Sequence, residues 1–329
     1  MQVGKLPPSI LQRLVLPNLG VPRPEVLVHS GLGEDSTVID CGDFVAALST
    51  DPITGAAANS GWIAVHVACN DIAAMGAEPI GVLLTLLLDE QTGEGRLAEI
   101  MRDVNRACHE LKIEVVGGHS EVTPLVSAPV LSLTSVGIAR KGEYVTSAGG
   151  RPGDALVLTK AAGLEGTAIL AADRAEWLAG RVDSACLEGA RRFLGEVSVV
   201  REGVAAAKAG ASAMHDATEG GVLGAAYELA LASGCGLELD ADSIPVRPET
   251  QAICAAIGID PLRLVSSGAM LIAAPDPRPV VTAIKALGVD ATVIGRLTTG
   301  APIVRRFGMS EALTAPESDE LYRALDVTH

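Results

Sequence analysis

Residues 215–221 read HDATEGG, and they stand between a short apolar run and a segment with helical periodicity. Asp216 and Thr218 come directly before the paired glycines Gly220 and Gly221, at the predicted start of that helix. An Asp and a Thr at a helix N-terminus are typical of simple capping. Paired glycines also open the N–H groups of such a terminus to an anion such as phosphate. The segment is therefore predicted to be a strand-to-helix turn, with capping and anion binding as alternative roles.

Four further segments combine acidic residues or glycines and interrupt or end an apolar stretch. They are residues 33–35, 49–51, 70–71 and 117–121. A carboxylate in an apolar stretch is costly unless a cation or a hydrogen-bond donor meets it. The five segments together predict a divalent metal site. Because the chain has no glycine-rich loop of the Walker type, a bound nucleotide would be held through this metal rather than through a lysine.

Two of these segments lie at strand boundaries. Asp35 stands on a predicted tight turn that leads into a strand, where an ordinary surface turn is the alternative. Asp51 ends the predicted strand 45–48, with the hydroxyl oxygens of Ser49 and Thr50 beside it. Strand ends are where α/β folds commonly place ligand sites. Asp51 is thus the stronger metal-ligand candidate, with a turn cap as the alternative.

Asn70 and Asp71 fall inside an apolar segment, residues 59–76, which is predicted to form a buried helix. An ionised Asp in such a helix needs a cation, an arginine or several donors. A metal is the favoured partner, and a structural salt bridge is the alternative.

Gly117 and Gly118 follow a predicted strand at residues 113–116 and precede His119. Glycines at this place would let the backbone approach a ligand closely. An ordinary turn at the end of the strand is the alternative.

Length and patterning favour a two-domain α/β enzyme. The chain has 329 residues, and single cores usually stop growing at about 250–300 residues. Strands and helices alternate on both sides of the segment 148–153, whose glycines and proline mark a linker. We therefore predict an N-terminal ATP- and metal-binding and dimerisation domain, 1–149, and a C-terminal α/β domain, 150–329.

Charge and cysteine content limit the partners and the compartment. A net charge of −15 opposes binding to nucleic acid or to anionic membranes, whereas Mg²⁺ between carboxylates and phosphates still allows ATP to bind. The six cysteines form no Cys-x-x-Cys pair and are expected to be free thiols. The longest apolar stretch, residues 80–88, is too short for a membrane span, and no secretory leader is recognised. A cytoplasmic location is expected.

In their order along the chain, the five segments resemble the superfamily that contains aminoimidazole ribonucleotide synthetase, thiamine-monophosphate kinase, selenophosphate synthetase and the hydrogenase maturation factor HypE. The similarity extends over nearly the whole chain from near Gly31 onward. The HypE branch is the most similar in residues 215–221, 233–239, 244–248 and 267–272, and residues 31–38 and 48–51 also resemble thiamine-monophosphate kinase.

The resemblance implies a two-domain PurM-like fold of the α/β (α+β) class, whose N-terminal domains pair in a homodimer to form a shared barrel. It implies an enzyme that uses Mg²⁺ and ATP near the dimer and domain interfaces. The acceptor would be an oxygen of a small or protein-borne carboxamide, carboxylate or phosphate, and maturation proteins would be further partners. By this resemblance the metal ligands are Asp35, Asp51, Asp71 and Asp216. Catalytic roles fall to Asp71, Asp216 and His119. The nucleotide-binding residues are Thr50, Asn70, Gly117, Gly118, Thr218, Gly220 and Gly221.

Three positions depart from the pattern that the resemblance implies. The chain ends LDVTH, residues 325–329, where HypE ends in a cysteine that carries the carbamoyl group, so we expect that this chain does not carry its own substrate. His119 replaces an Asp of the family, with Glu121 as a candidate replacement ligand, and Ser267 replaces an acidic residue of HypE. The missing tail cysteine and Ser267 favour a second hypothesis, a nucleotide-binding assembly or regulatory protein that has lost the reaction, whereas the retained carboxylates at residues 35, 51, 71 and 216 favour the enzyme.

Overall fold

The structure, a computed structural model, describes residue 6 and residues 8–53, 59–316 and 318–326. The last part of the chain end quoted above, from residue 327 onward, lies outside these described residues. The helices are α1 (Pro8–Ile10), α2 (Ser60–Ala74), α3 (Glu94–Leu111), α4 (Leu164–Asp173), α5 (Ala175–Leu178), α6 (Ser184–Arg191), α7 (Val200–Lys208), α8 (Gly221–Ala232), α9 (Pro248–Ile257), α10 (Pro277–Ala286) and α11 (Glu320–Asp326). The strands are β1 (Val26–Val28), β2 (Thr37–Asp40), β3 (Phe44–Ile53), β4 (Glu78–Leu88), β5 (Glu114–Val122), β6 (Val130–Arg140), β7 (Ala155–Thr159), β8 (Ala213–Asp216), β9 (Gly236–Asp240), β10 (Met270–Ala274), β11 (Ala291–Thr298), β12 (Ile303–Arg306) and β13 (Met309–Ala312).

The N-terminal half forms a six-stranded sheet in the order β1-β2-β3-β6-β4-β5. Its strands pair antiparallel except β4 and β5, which are parallel. Helices α2 and α3 bury one face of this sheet. Every residue of α2 is buried, so the buried helix predicted at residues 59–76 is confirmed. The sheet is open within one chain, and the shared barrel stays a prediction.

The glycines of residues 117 and 118 do not end their strand. The predicted strand 113–116 was too short, because β5 continues to Val122 alongside β4. Gly118 has a φ of +144°, and a Cβ atom there would lie 1.9 Å from the carbonyl oxygen of Leu84. A glycine is therefore required by the close approach of the two backbones, and the turn at this position is corrected to a strand interior.

The C-terminal half forms a seven-stranded sheet in the order β13-β12-β9-β11-β7-β10-β8. Helix α8 packs on one face of this sheet, and α7 and α10 pack on the other. Strand β8 ends at Asp216 and α8 begins at Gly221, so the predicted strand-to-helix turn is confirmed. The hairpin of β12 and β13 and the helix α11 were not predicted from the sequence.

The two halves meet along α2. A Cβ atom at Gly203, on α7, would lie 2.6 Å from the carbonyl oxygen of Ala73, so the two helices cross at close range. The chain passes from β6 to β7 through a short 3₁₀ turn, Ser147–Gly149. That turn is packed, since a Cβ atom at Gly149 would lie 2.1 Å from the carbonyl oxygen of Ser212. The domain boundary at residues 149 and 150 stays a prediction. None of the helices in the described part of the chain has the length and apolar character needed to cross a bilayer.

Candidate active site

A cavity of about 1260 Å³ lies between the two halves. Its N-terminal wall is formed by the turn at residues 31–35 and by β3 at residues 49–53. Its C-terminal wall is formed by the turn after β8, residues 215–220, and by the segment 314–322. The cavity therefore brings together three of the five segments that the sequence singled out, and Asp71 of a fourth.

Four carboxylates converge in this cavity. One ligand atom each from Asp35, His215 and Asp216 lies within 4.8 Å of the others. Asp71 is buried beside them and accepts a hydrogen bond from the Ser49 hydroxyl at 2.5 Å. Burial raises the pKa of Asp71 well above its ordinary value, and the nearby charges of Asp216, Asp51 and Asp35 raise it further. The structure thus places all four predicted metal ligands close together.

His215 lies between two carboxylates and is almost fully buried. Its Nδ1 atom contacts Asp35 Oδ1, and its Nε2 atom lies 2.9 Å from Glu228 Oε2. Burial alone lowers the pKa of His215, but Asp35 and Glu228 outweigh it, so the pKa stands well above its ordinary value. The imidazole is committed to these two partners, and it fixes the position of the Asp35 side chain.

The donor set fits a hard divalent cation. Asp35 Oδ2 is buried, and it has no hydrogen-bond partner among the described residues. A buried carboxylate oxygen without a donor is costly unless a cation meets it. Mg²⁺ prefers oxygen ligands, and the cluster of Asp35, Asp51, Asp71 and Asp216 offers carboxylate oxygens from both halves. The residues present therefore fit the metal that the sequence predicted.

The turn after β8 lines the cavity, and its backbone includes a glycine with a positive φ. Gly220 has a φ of +86°, and its N–H group donates to Asp319 Oδ2 at 2.6 Å. Thr218 and Gly220 line the cavity, as does Thr50, whose hydroxyl accepts from Thr134 at 3.1 Å. Gly221 serves packing, because a Cβ atom there would lie 2.5 Å from the Leu262 carbonyl oxygen.

The remaining predicted residues lie elsewhere in the chain. Asn70 is fully buried, donates from Nδ2 to the Val197 carbonyl at 2.8 Å and accepts at Oδ1 from the Val199 N–H at 2.8 Å. Its amide thus joins the two halves, and its nucleotide-binding role stays a prediction. Gly117, Gly118 and His119 lie on the edge strand β5, outside the residues that line the cavity. The His119 side chain is exposed and lies 3.1 Å from Glu121, so its catalytic role also stays a prediction.

Several residues of the cavity wall were not assigned from the sequence. They are His215, Glu228, Glu165, Asp319 and Tyr322. His215 and Glu165 did carry a recognisable pattern, since each is a polar residue within an apolar stretch. Nothing in the sequence alone pairs His215 with Glu228, because that contact depends on how α8 packs against β8.

The two mixed α/β halves place the chain in the class of two-domain PurM-like proteins. The chain belongs to the AIR synthase related family, whose N-terminal domain model matches residues 33–139 and whose C-terminal domain model matches residues 151–306.

Two curated relatives carry enzyme names. The carbamoyl dehydratase HypE of Rhizobium leguminosarum bv. viciae is 31% identical over 247 residues, which cover 73% of this chain and 68% of that protein. The thiamine-monophosphate kinase of Methanospirillum hungatei is 38% identical over 197 residues, which cover 57% of this chain and 59% of that protein.

Two solved structures share the fold. The hydrogenase maturation protein HypE in complex with ATP superposes with a TM-score of 0.69 at 20% identity, covering 95% of each chain. A chain of the HypE–HypF complex gives a TM-score of 0.73 at 20% identity, covering 86% of this chain and 93% of that one. The predicted family and fold are confirmed, and so is an enzyme class at the level of the family.

Proposed function

We propose that this chain is an ATP-dependent, Mg²⁺-requiring enzyme similar to HypE. It would transfer the γ-phosphoryl group of ATP to an oxygen of a small or protein-borne carboxamide, carboxylate or phosphate. The observation that carries this proposal is the convergence of Asp35, Asp51, Asp71 and Asp216 in one cavity between the halves. The name of the thiamine-monophosphate kinase relative supports phosphoryl transfer.

The carboxylates would hold the metal, and the rest of the cavity would hold the nucleotide and exclude water. A bound Mg²⁺ would supply charge neutralisation at the phosphate oxygens, which is the main need of phosphoryl transfer. His215 fixes Asp35, and the Ser49 hydroxyl fixes Asp71, so two of the four carboxylates are oriented before the ligand arrives. The hydroxyl of Thr218 would face the phosphates near the start of α8, whereas the Gly220 N–H group is already used by Asp319.

A homodimer is part of this proposal. The strands of the six-stranded sheet leave six large apolar side chains exposed, which is unusual for a surface that stays in water. They are Phe44, Ile80, Leu83, Val116, Val122 and Ile138. A second copy of the chain would bury them by pairing the two open sheets. His119 and the glycines before it lie on the edge strand of this sheet.

One observation favours the alternative, a nucleotide-binding assembly or regulatory protein without turnover. Ser267 lines the cavity at the position where the resemblance to HypE implies an acid. Such a protein would bind Mg-ATP through the same carboxylates and would release no product.

The test is to incubate the pure full-length chain with Mg-ATP and to follow the release of ADP, AMP and phosphate. Calorimetry with and without a chelator measures whether ATP binding depends on Mg²⁺. Asp71→Asn is the control, because it removes one charge from the cluster with little change of shape. Turnover that is lost in the variant supports the enzyme, whereas Mg²⁺-dependent binding without turnover supports the regulator. Binding that ignores Mg²⁺ would contradict both.

A further inference from the structure

A second acidic group lies on the C-terminal wall of the same cavity, apart from the four carboxylates. Glu165, in the first turn of α4, is buried and accepts hydrogen bonds from the hydroxyl and the backbone N–H of Ser267. Next to it the Tyr322 hydroxyl donates to Glu219 Oε1 at 2.9 Å. All four residues line the cavity.

The fold holds Glu165 rigidly against Ser267. Gly163 has a φ of +72° at the start of α4, and its N–H group donates to the Ser266 hydroxyl at 2.7 Å. A Cβ atom at Gly166 would lie 2.5 Å from Leu264 Cγ, so the helix start packs directly on the segment before Ser267. This packing leaves the Glu165 carboxylate little freedom to turn away from the cavity.

Asp319, another buried acid of this wall, shows what a purely structural carboxylate looks like here. It accepts hydrogen bonds from three backbone N–H groups, those of Gly220, Val265 and Leu321, at 2.6, 3.1 and 2.7 Å. Glu165 does not join several loops in this way, because both of its hydrogen-bond donors belong to one residue, Ser267. A buried acid that faces a cavity and is not used to tie loops together has the placement of a group that handles protons.

The charges around the cavity select the kind of acceptor. No lysine or arginine is among the described residues that line it. An anionic acceptor would therefore find no cationic side chain on this wall. A fully ionised carboxylate or phosphate that reacts through its own oxygen would also bring no proton, so a base beside it would have no proton to remove.

We infer that Glu165 is the general base for the phosphoryl acceptor, that Ser267 positions it, and that the acceptor carries an O–H or N–H group without a negative charge at its reacting end. This inference rests on the proposed function. In the step, the acceptor atom forms a bond to the γ-phosphorus of ATP while its proton passes to Glu165. The bond from the γ-phosphorus to the β,γ-bridging oxygen breaks, the electron pair leaves with ADP, and Glu165 then loses the proton to solvent.

The acidity of Glu165 suits this task near neutral pH. Burial raises its pKa to about 6, the charges of Asp319 and Glu219 act in the same direction, and the bonds from Ser267 oppose them. A base with a pKa just below the working pH is ionised and still able to take a proton. The groups that face Glu165 are Asp319, Glu219 and the Tyr322 hydroxyl.

The experiment measures Mg-ATP hydrolysis by the full-length chain, with water as the acceptor, between pH 5 and pH 9. Glu165→Gln is expected to lower kcat about 10²- to 10⁴-fold, the usual contribution of a general base. Its ATP dissociation constant, measured by calorimetry, should stay within about twofold of the wild type, because the nucleotide is held by the other cluster. Added formate should restore part of the rate in Glu165→Ala by replacing the lost carboxylate.

Ser267→Ala separates positioning from simple structure. Its loss removes a donor that stabilises the ionised Glu165, so the lower limb of the pH–rate profile should move to higher pH. Glu219→Gln removes a charge from the same wall but leaves Glu165 in place, so its pH–rate profile should still fall at low pH. Equal kcat for Glu165→Gln and the wild type would overturn the inference and leave the proposed function intact. A wild type that binds Mg-ATP without turnover would overturn the proposed enzyme and, with it, this role of Glu165.

Discussion

Replacing Asn70 by alanine should destabilise the contact between the two halves of the chain. The Asn70 amide donates to the Val197 carbonyl and accepts from the Val199 N–H, both at 2.8 Å. Asn70 belongs to α2 of the first half, whereas Val197 and Val199 lie just before α7 of the second. All three residues are fully buried, so water cannot replace the lost partners.

The size of the effect follows from the two backbone groups that lose their partners. A buried donor or acceptor without a partner costs about 1–3 kcal/mol, so two cost about 2–6 kcal/mol. Alanine is the better helix former and returns up to about 0.7 kcal/mol. The free energy of unfolding should therefore fall by about 2–5 kcal/mol, a large share of the 5–15 kcal/mol that is typical of a folded chain.

The assay is urea denaturation at fixed pH, followed by circular dichroism and by tryptophan fluorescence. The chain has two tryptophans, Trp62 on α2 and Trp177 on α5, one in each half. Single-tryptophan variants can therefore show whether the halves unfold together, which a two-state analysis requires. Loss of the Asn70 contacts should lower the midpoint and separate the two fluorescence transitions.

Asn105→Ala is the matched control, since Asn105 is exposed on α3 and the same atoms are removed there. It should change stability by less than about 0.7 kcal/mol. If Asn70→Ala unfolds at the same urea concentration as this control, the reasoning about the two hydrogen bonds is refuted. If it also loses ATP affinity while still fully folded, the nucleotide-binding role predicted from the sequence gains support.

Three further predictions follow from single residues. Burial raises the pKa of Glu165 from 4.5 to about 6, so the folded state prefers the protonated acid, and this one group should contribute a loss of up to about 2 kcal/mol in the free energy of unfolding as the pH rises through this range. The amide side chain introduced by Glu165→Gln does not titrate, so in urea unfolding this variant should have the higher free energy of unfolding relative to the wild type above pH 6. Below pH 4.5 this difference should be absent. Gly203→Ala would bring a Cβ atom to 2.6 Å from the Ala73 carbonyl oxygen, and it should lower the thermal midpoint through a cost of about 1–3 kcal/mol. Leu83→Asp, on the exposed sheet, should leave the circular dichroism spectrum unchanged and convert the proposed dimer to a monomer in light scattering; a dimer that persists would show that this face is not the interface.

The sequence was most informative where a polar or charged residue lies inside an apolar segment. Asp71 in an all-apolar helix indicated a buried charge that needs partners, and the structure supplies the Ser49 hydroxyl and three more carboxylates. Asn70, one residue earlier, is also a polar residue in this apolar helix, but its side chain bonds to the backbone of the other half. The difference arises because its partners lie 127 and 129 residues further along the chain, in the other half. Local sequence cannot show which buried polar residue faces a cavity and which faces a neighbouring backbone.

The strand end predicted before Gly117 and Gly118 is wrong for a similar reason. Two glycines after an apolar run usually mark a turn, because glycine weakens a strand interior. Here Gly118 allows β5 to lie against the backbone of Leu84. Leu84 belongs to β4, which α3 separates from β5 in the sequence, so the local sequence does not show this constraint. The residues that follow, including His119, are consequently carried along an exposed sheet edge and away from the cavity of their own chain.

The two acidic groups of the cavity would respond to different agents, and this separates their roles. Asp35, Asp71 and Asp216 lie close together, and like charges at such range favour the state in which a cation is bound. Glu165 is held by Ser267 in the C-terminal half, and its charge depends on pH. A chelator should therefore abolish ATP binding and leave the pH dependence of stability that comes from Glu165 in place. Glu165→Gln should do the reverse. If either treatment removed both effects, the two groups would form one coupled site, and the division of the cavity into a metal-dependent half and a proton-dependent half would fail.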